Sequence, residues 1–248
     1  MRPATEALKD GQWKGHRAFV VGSGPSLKGF DYSLLKGELW IGCNEEYRHG
    51  PTIGICQDPR LFAGDGSPER QPLSKDPTWY GGPHLPLHFR GHPDRVDTAA
   101  PDTVFEVRTA HSRETPFKWG TSLEGGIYYG ANIGMSAINL AEILGADPIY
   151  LLGFDARVDD AETHHHDHYP VEWRLAHRDD RQAVYSRWHA EFREIAQVVR
   201  ARVINLNVNS GIDAFPRWNY AEATDLNGRT SIYPFEMIAP YTSIRVNP

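Results

Sequence analysis

Cysteine is nearly absent from this chain. Its 248 residues include two, Cys43 and Cys56, with no Cys-x-x-Cys pair. That excludes a disulfide framework and a thiolate zinc site of ordinary spacing. Both cysteines end short apolar runs and read as small buried core residues. Long hydrophobic runs are missing too: no segment approaches the roughly 20 apolar residues of a membrane-spanning helix. Residues 1–14 are polar and charged, without the apolar centre of a secretory signal. The expectation is a cytoplasmic chain with no membrane span. Basic charge is also in deficit, with 26 Lys and Arg against 32 Asp and Glu and a formal net charge of −6. A broad nucleic-acid-binding surface, which is normally basic, is not expected. Repeats, low-complexity tracts and linkers are lacking as well, which points to one domain over 1–248.

What the chain does contain is alternation. Short apolar runs at 17–21, 39–43, 52–56, 85–89, 103–107, 148–152 and 203–206 read as strands covered on both faces. Residues 131–144 place Met135, Ile138, Ala141 and Ile143 or Leu144 at helical spacing, and Gly145 follows as a C-cap. The pattern over 179–201 is the strongest helix signal, with Val184, Trp188, Phe192, Ile195 and Val199 on one face. Residues 30–35 read as a short amphipathic turn or helix, and 117–129 as an aromatic, Gly-rich stretch. Residues 64–102, rich in Gly, Pro, Asp and His, read as a long irregular insertion, and 156–178 as a polar, His-rich loop. Strands alternating with helices imply an α/β fold with a mainly parallel sheet.

The run Val20-Val21-Gly22-Ser23-Gly24-Pro25-Ser26-Leu27 is a buried strand opening into a turn able to cradle a phosphate. Leu27 stands where a dinucleotide fingerprint has its third glycine, and no Gly-Lys-Ser/Thr ending makes it a Walker A loop. Ligands of open α/β sheets bind outside the carboxyl ends of the strands. That rule singles out the Gly22–Ser26 turn, Asn44 with Glu45, Asp58 and Asp155, each of which also reads as an ordinary turn or cap residue. Asn132 either caps the 131–144 helix or reaches a ligand.

Four of the 12 histidines fall within Thr163-His164-His165-His166-Asp167-His168. Imidazole titrates near neutrality and serves as general base, phosphate partner or metal ligand. His164 and His166 share one side of an extended segment, and His168 lies one alternation further on. Asp167 can orient a histidine, and Asp155 and Asp167 are the candidate metal ligands. After the last strand, Asn205, Asn207, Asn209 and Ser210 form either an Asn-rich turn or a set of contacts to a base or ribose.

These residues together resemble the bacterial lipooligosaccharide sialyltransferases. The resemblance lies in Gly22-Ser23-Gly24-Pro25-Ser26-Leu27-Lys28, Asp31-Tyr32-Ser33, Cys43-Asn44, Asp58-Pro59-Arg60-Leu61-Phe62 and Ile149-Tyr150-Leu151-Leu152-Gly153-Phe154-Asp155. The pattern is similar to a wider superfamily that includes motility accessory factors and a hydroxymethylpterin diphosphokinase. It is most like the phage-type members, which pair a Gly-[Phe/Tyr]-Asp and His-rich segment with a tail like Ser210 and Asp213-Ala214-Phe215-Pro216. The matching blocks span 17–216.

The resemblance implies a Rossmann-like fold with helices on both faces of the sheet. It implies a nucleotide-sugar donor of the CMP-sugar type. Gly22, Ser23, Gly24, Pro25, Ser26, Asn44, Asp58, Asn132 and Ser210 would form the nucleotide site, although the family has Asn where Ser23 and Asp58 stand. His164, His166 or His168 would activate the acceptor, beside Asp155. Ala156 and Arg157 stand where the family places tyrosines, and Arg157 would neutralise the leaving phosphate by charge. The expectation is a glycosyltransferase acting on an acceptor the sequence does not identify. Two alternatives stand beside it. One is diphosphoryl transfer with Mg²⁺ held by Asp58, Asp155 or Asp167. The other is a non-catalytic, phage-associated nucleotide-binding module. Association into a homo-oligomer is expected because relatives often associate.

Overall fold

The structure is a computed structural model and describes residues 2–56, 75–80, 84–89, 105–107, 117–157, 162–166 and 180–219. One sheet runs through it. Its strands are β1 (Arg2–Pro3), β2 (Ala18–Val21), β3 (Trp40–Cys43), β4 (Ile53–Cys56), β5 (Leu85–Phe89), β6 (Phe105–Val107), β7 (Ile149–Leu152) and β8 (Val203–Asn205). They lie in the order β1-β6-β5-β4-β3-β2-β7-β8, and every ladder is parallel. The fold is therefore α/β and Rossmann-like. Seven strands lie where the apolar runs predict them, with ends shifted by two residues at most. The two-residue β1 is exposed and carries no apolar pattern, so only its pairing with β6 reveals it.

Alternate side chains of each strand enter opposite layers. Ala18 and Val20 join Ile41, Cys43, Ile53 and Ile55 in one core, while Phe19 and Val21 join Trp40, Tyr150 and Leu152 in the other. Two helices cover the first layer: α2 (Ile133–Ile143) and α3 (Arg181–Val198). A shorter helix, α1 (Pro77–Tyr80), falls within the expected irregular insertion.

Asn132 caps α2, its side-chain oxygen accepting from the Gly134 N–H at 2.7 Å. Apolar residues surround α2 and bury almost all of it, and Gly145 stops it with a left-handed φ of 92°. α3 buries Tyr185, Phe192 and Ile195, and the expected Val184, Trp188 and Val199 pack half-buried against the same core. Among the described residues the second layer is covered by single 3-10 turns, Pro25–Leu27 and Tyr32–Leu35, which bury Leu27 and Leu35. Phe30, Tyr32 and Trp218 pack beside them.

Asn139, buried inside α2, organises the 117–129 stretch. Its Oδ1 accepts from the Gly120 and Tyr128 N–H groups at 3.2 and 2.7 Å, and its Nδ2 donates to the Gly120 carbonyl at 3.0 Å. Cys43 and Cys56 are free and buried, as expected. Burial, Glu46 and Cys56 all push the Cys43 thiol pKa up, which keeps it protonated.

His84, at the entry to β5, is buried beside Trp79, Tyr47 and Gly54. Burial pulls its pKa from 6.5 down to about 4. The unfolded chain therefore takes up this proton first. The neutral folded form has its full stability above about pH 6.5 and loses it as the pH falls toward 4. Urea unfolding should show this histidine removing about 2 kcal/mol between pH 7 and pH 5. His84→Phe should flatten the profile by that amount. An equally steep loss in His84→Phe would refute the assignment.

Candidate functional site

From β2 the chain moves outward to β3 on one side, and it returns to pair β7 on the other. Such a reversal opens a crevice at the carboxyl ends of the two central strands. Three turns meet there: 22–26 after β2, 153–156 after β7 and 206–211 after β8.

Asp155 ties them together. It is 7% exposed. Its carboxylate accepts from the Ser26 N–H at 3.1 Å, the Ser26 hydroxyl at 2.9 Å and the Asn207 side-chain amide at 2.9 Å. The peptide framework closes the same junction. Gly24 N–H donates to the Gly153 carbonyl at 3.0 Å, and Gly211 N–H to the Asp155 carbonyl at 2.7 Å. Gly24 is glycine because a Cβ there would lie 1.8 Å from an Asp155 carboxylate oxygen. Gly153 is glycine because it holds φ +70°. The anion that the Gly-rich turn holds is thus partly internal.

Ser210 is likewise drawn into the fold. Its hydroxyl donates to the Phe154 carbonyl at 2.6 Å and accepts from the Ile212 N–H at 3.0 Å. Asn132 acts as the helix cap. Arg157 is half-buried and follows Ala156, which holds a left-handed φ of 46°. A non-glycine residue in that region is strained, and such strain collects at functional sites.

The other wall of the crevice begins at Asn44, where β3 passes into a 3-10 helix (Asn44–His49). Asn44 is also left-handed, at φ 53°, and its Oδ1 is buried with no hydrogen-bond partner among the described residues. Glu45 and Glu46 follow, 2% and 0% exposed. Glu45 pairs with Arg48 at 2.8 Å. Glu46 has different partners. One oxygen lies 2.9 Å from His165 Nε2, and the other accepts from the Tyr32 hydroxyl at 2.5 Å. Tyr32 stacks on His49, with ring centroids 3.7 Å apart and 7° between the planes. Burial and the Glu46 charge push the Tyr32 pKa up, so the phenol stays a donor.

The histidine segment docks onto the Gly-rich turn through the His165 N–H, which donates to the Ser23 carbonyl at 3.0 Å. The His166 ring lies between its neighbours, 5.5 Å from that of His164 and 5.0 Å from that of His165, and the segment is a series of bends rather than the extended strand expected. His164 Nδ1 lies 2.8 Å from the Thr163 hydroxyl. Ligand atoms of Glu46, His165 and His166 all lie within 4.8 Å of one another.

The crevice thus gathers Gly22, Ser23, Gly24, Pro25, Ser26, Asp155 and Ser210, with Asn44, His164 and His166 at its mouth. Asp58, Asp167 and His168 lie outside the described residues. Glu46 escaped the sequence reading, which names Tyr32 and His165 within longer stretches but gives neither a role of its own.

Neither a family model nor a curated protein matches the sequence. Solved structures do. The MAf glycosyltransferase from Magnetospirillum magneticum AMB-1 aligns at TM-score 0.46 and 16% identity, over 86% of this chain and 35% of that one. This chain therefore spans about a third of that protein. The sialyltransferase CstII from Campylobacter jejuni, solved with cytidine-5'-monophosphate, aligns at TM-score 0.44 and 15% identity, over 83% of this chain and 85% of that one.

The Gly24–Asp155 junction can be tested by stability. Asp155→Ala should cost about 2–3 kcal/mol, because buried donors lose their acceptor. Gly24→Ala should cost about 3 kcal/mol or more through overlap. Removing Asp155 should not rescue Gly24→Ala, because the Gly153 carbonyl remains 2.5 Å from the new Cβ. Urea melts of both single variants and the double variant measure this, and full rescue in the double would refute the geometry.

Proposed function

We propose that this chain is a transferase that binds a nucleotide-type donor across the β2/β7 switch point and moves its sugar to an acceptor hydroxyl. One observation carries the reading: the histidine segment is hydrogen-bonded to the Gly-rich turn, which sets imidazoles at the mouth of the crevice. That crevice is where open α/β sheets bind nucleotides. The CMP-sugar class follows from the sequence resemblance.

Asn44 is the donor contact best supported, because its buried Oδ1 still needs a hydrogen-bond donor. Ser23 and Asp58 join it. Gly22, Gly24, Pro25, Ser26, Asp155 and Ser210 shape the turn and hold it rigid. His164 is the acceptor base. Its Nδ1 lies 2.8 Å from the Thr163 hydroxyl; in the tautomer that donates Nδ1–H to that oxygen, Nε2 is the basic nitrogen. In the transfer step the acceptor O–H gives its proton to His164. The acceptor oxygen bonds the anomeric carbon, the carbon–oxygen bond to phosphate breaks, and the nucleotide leaves as a phosphate anion. Arg157 meets that anion.

Thermal shift against CMP, UMP, UDP, GDP and ADP tests the donor. CMP at 100 times its Kd should stabilise the chain by about 2.7 kcal/mol, and Asn44→Ala should remove most of that shift. His164→Ala should lower CMP-sugar turnover about 100- to 10,000-fold while CMP still binds. No stabilisation by any of these nucleotides, or unchanged turnover in His164→Ala, would overturn the proposal.

A further inference from the structure

Glu46 is fully buried, and among the described residues its ion-pair partner is His165 rather than an arginine or lysine. The neighbouring buried acids are treated otherwise. Arg48 lies 2.8 Å from Glu45 and 3.4 Å from Asp76. A carboxylate taken out of water needs a positive partner or several strong donors. Glu46 has a phenol on one oxygen and an imidazole on the other, with the half-buried His166 ring 5.0 Å from that of His165.

From this we infer that Glu46, His165 and His166 form a binding site for a divalent transition-metal ion, which meets the donor's phosphate. The inference rests on the nucleotide-donor reading. Two imidazoles and a carboxylate suit Zn²⁺, Co²⁺ or Mn²⁺ better than Mg²⁺, which prefers oxygen ligands and water. Ligand atoms around a dication with bonds of about 2.1 Å lie about 3.0–4.2 Å apart. The Glu46 oxygen and His165 nitrogen already stand 2.9 Å apart, and the full set within 4.8 Å. A small rotation of His166 closes the rest.

Orientation is already in place. Tyr32 holds the second carboxylate oxygen at 2.5 Å and is itself held by its stack on His49. Outer hydrogen bonds of this kind fix a metal-binding carboxylate and raise its affinity. Three protein ligands leave coordination positions open toward the crevice, as in metal sites that act on substrates. The His165 N–H bond to Ser23 sets the ion beside the turn where the phosphate region would lie. His164 stays outside the ligand set, so its part in proton transfer is unaffected.

The test uses the full chain, stripped with chelator and dialysed, then titrated with Zn²⁺, Co²⁺, Mn²⁺ or Mg²⁺ alone. Bound metal is measured by elemental analysis and calorimetry, and Co²⁺ geometry by its visible absorption. One Zn²⁺ or Co²⁺ per chain is expected, with Mg²⁺ at least 100-fold weaker. His166→Ala and Glu46→Gln should each weaken Co²⁺ binding 100-fold or more. Tyr32→Phe, which keeps the ring stack, should weaken it about 10- to 100-fold. His166 is half-buried, so His166→Ala decides the matter should Glu46→Gln fail to fold. Failure to bind one ion per chain, or binding unchanged in His166→Ala, would overturn the site. Undiminished Zn²⁺ binding in a folded Glu46→Gln would mean that the histidine tract alone chelates, and would overturn it too. CMP thermal shift on the stripped chain separates the two proposals: a retained shift without metal binding leaves the donor reading standing and removes only the ion.

Discussion

The junction between the β2 and β7 turns governs this crevice, and Asp155 holds it. Parallel strands end with their peptide groups aimed at the same edge, and those groups need partners once the strands stop. A single carboxylate answers for the backbone and hydroxyl of Ser26 and for the amide of Asn207. It therefore joins turns that follow three different strands. Three converging donors stabilise its charge. The price is steric: Gly24 and Gly153 must approach closely enough that neither admits an ordinary side chain. The Gly-x-Gly signature is thus first a packing requirement between two strand ends. The floor of the crevice follows from it.

Much of this architecture was legible because buried parallel strands leave contiguous apolar runs, whatever the connections between them. α3 was legible from its stripe, and α2 from that period together with Asn132 and Gly145 at its ends. The cover of the second face was not. A 3-10 turn that buries one residue, Leu27 or Leu35, leaves no period to read. β1 was equally hidden, since two exposed residues become a strand only through β6. Asn139 was missed because a polar residue in an apolar helix reads as an interruption. Here it is the acceptor and donor that the 117–129 stretch requires.

The site divides along the same line. Gly22–Ser26, Asn44 and Asp155 were legible because they follow strands directly, and position along a parallel strand predicts position at the edge. Their partners were not. Asp155 meets Ser26 across 129 residues and His165 meets Glu46 across 119, and no local pattern encodes such pairings. The histidine tract was visible as chemistry. Which ring turns inward depends on where a buried carboxylate waits for it.

The buried acids of this edge show how the fold distributes charge. Asp155 accepts from Ser26 and Asn207, neutral donors in two other turns, and Glu45 and Asp76 share the Arg48 guanidinium. Glu46 is solved differently. Its phenol partner carries no charge, and its imidazole partner belongs to a segment docked on the crevice. Burial strengthens the field of that carboxylate, since little water lies near enough to screen it. Its unmet attraction for positive charge is thus directed to the edge where a phosphate-bearing ligand would sit. A phosphate cannot approach a bare buried carboxylate without repulsion, so the two are compatible only with positive charge between them. In the proposed site, an ion held by Glu46, His165 and His166 would supply that charge.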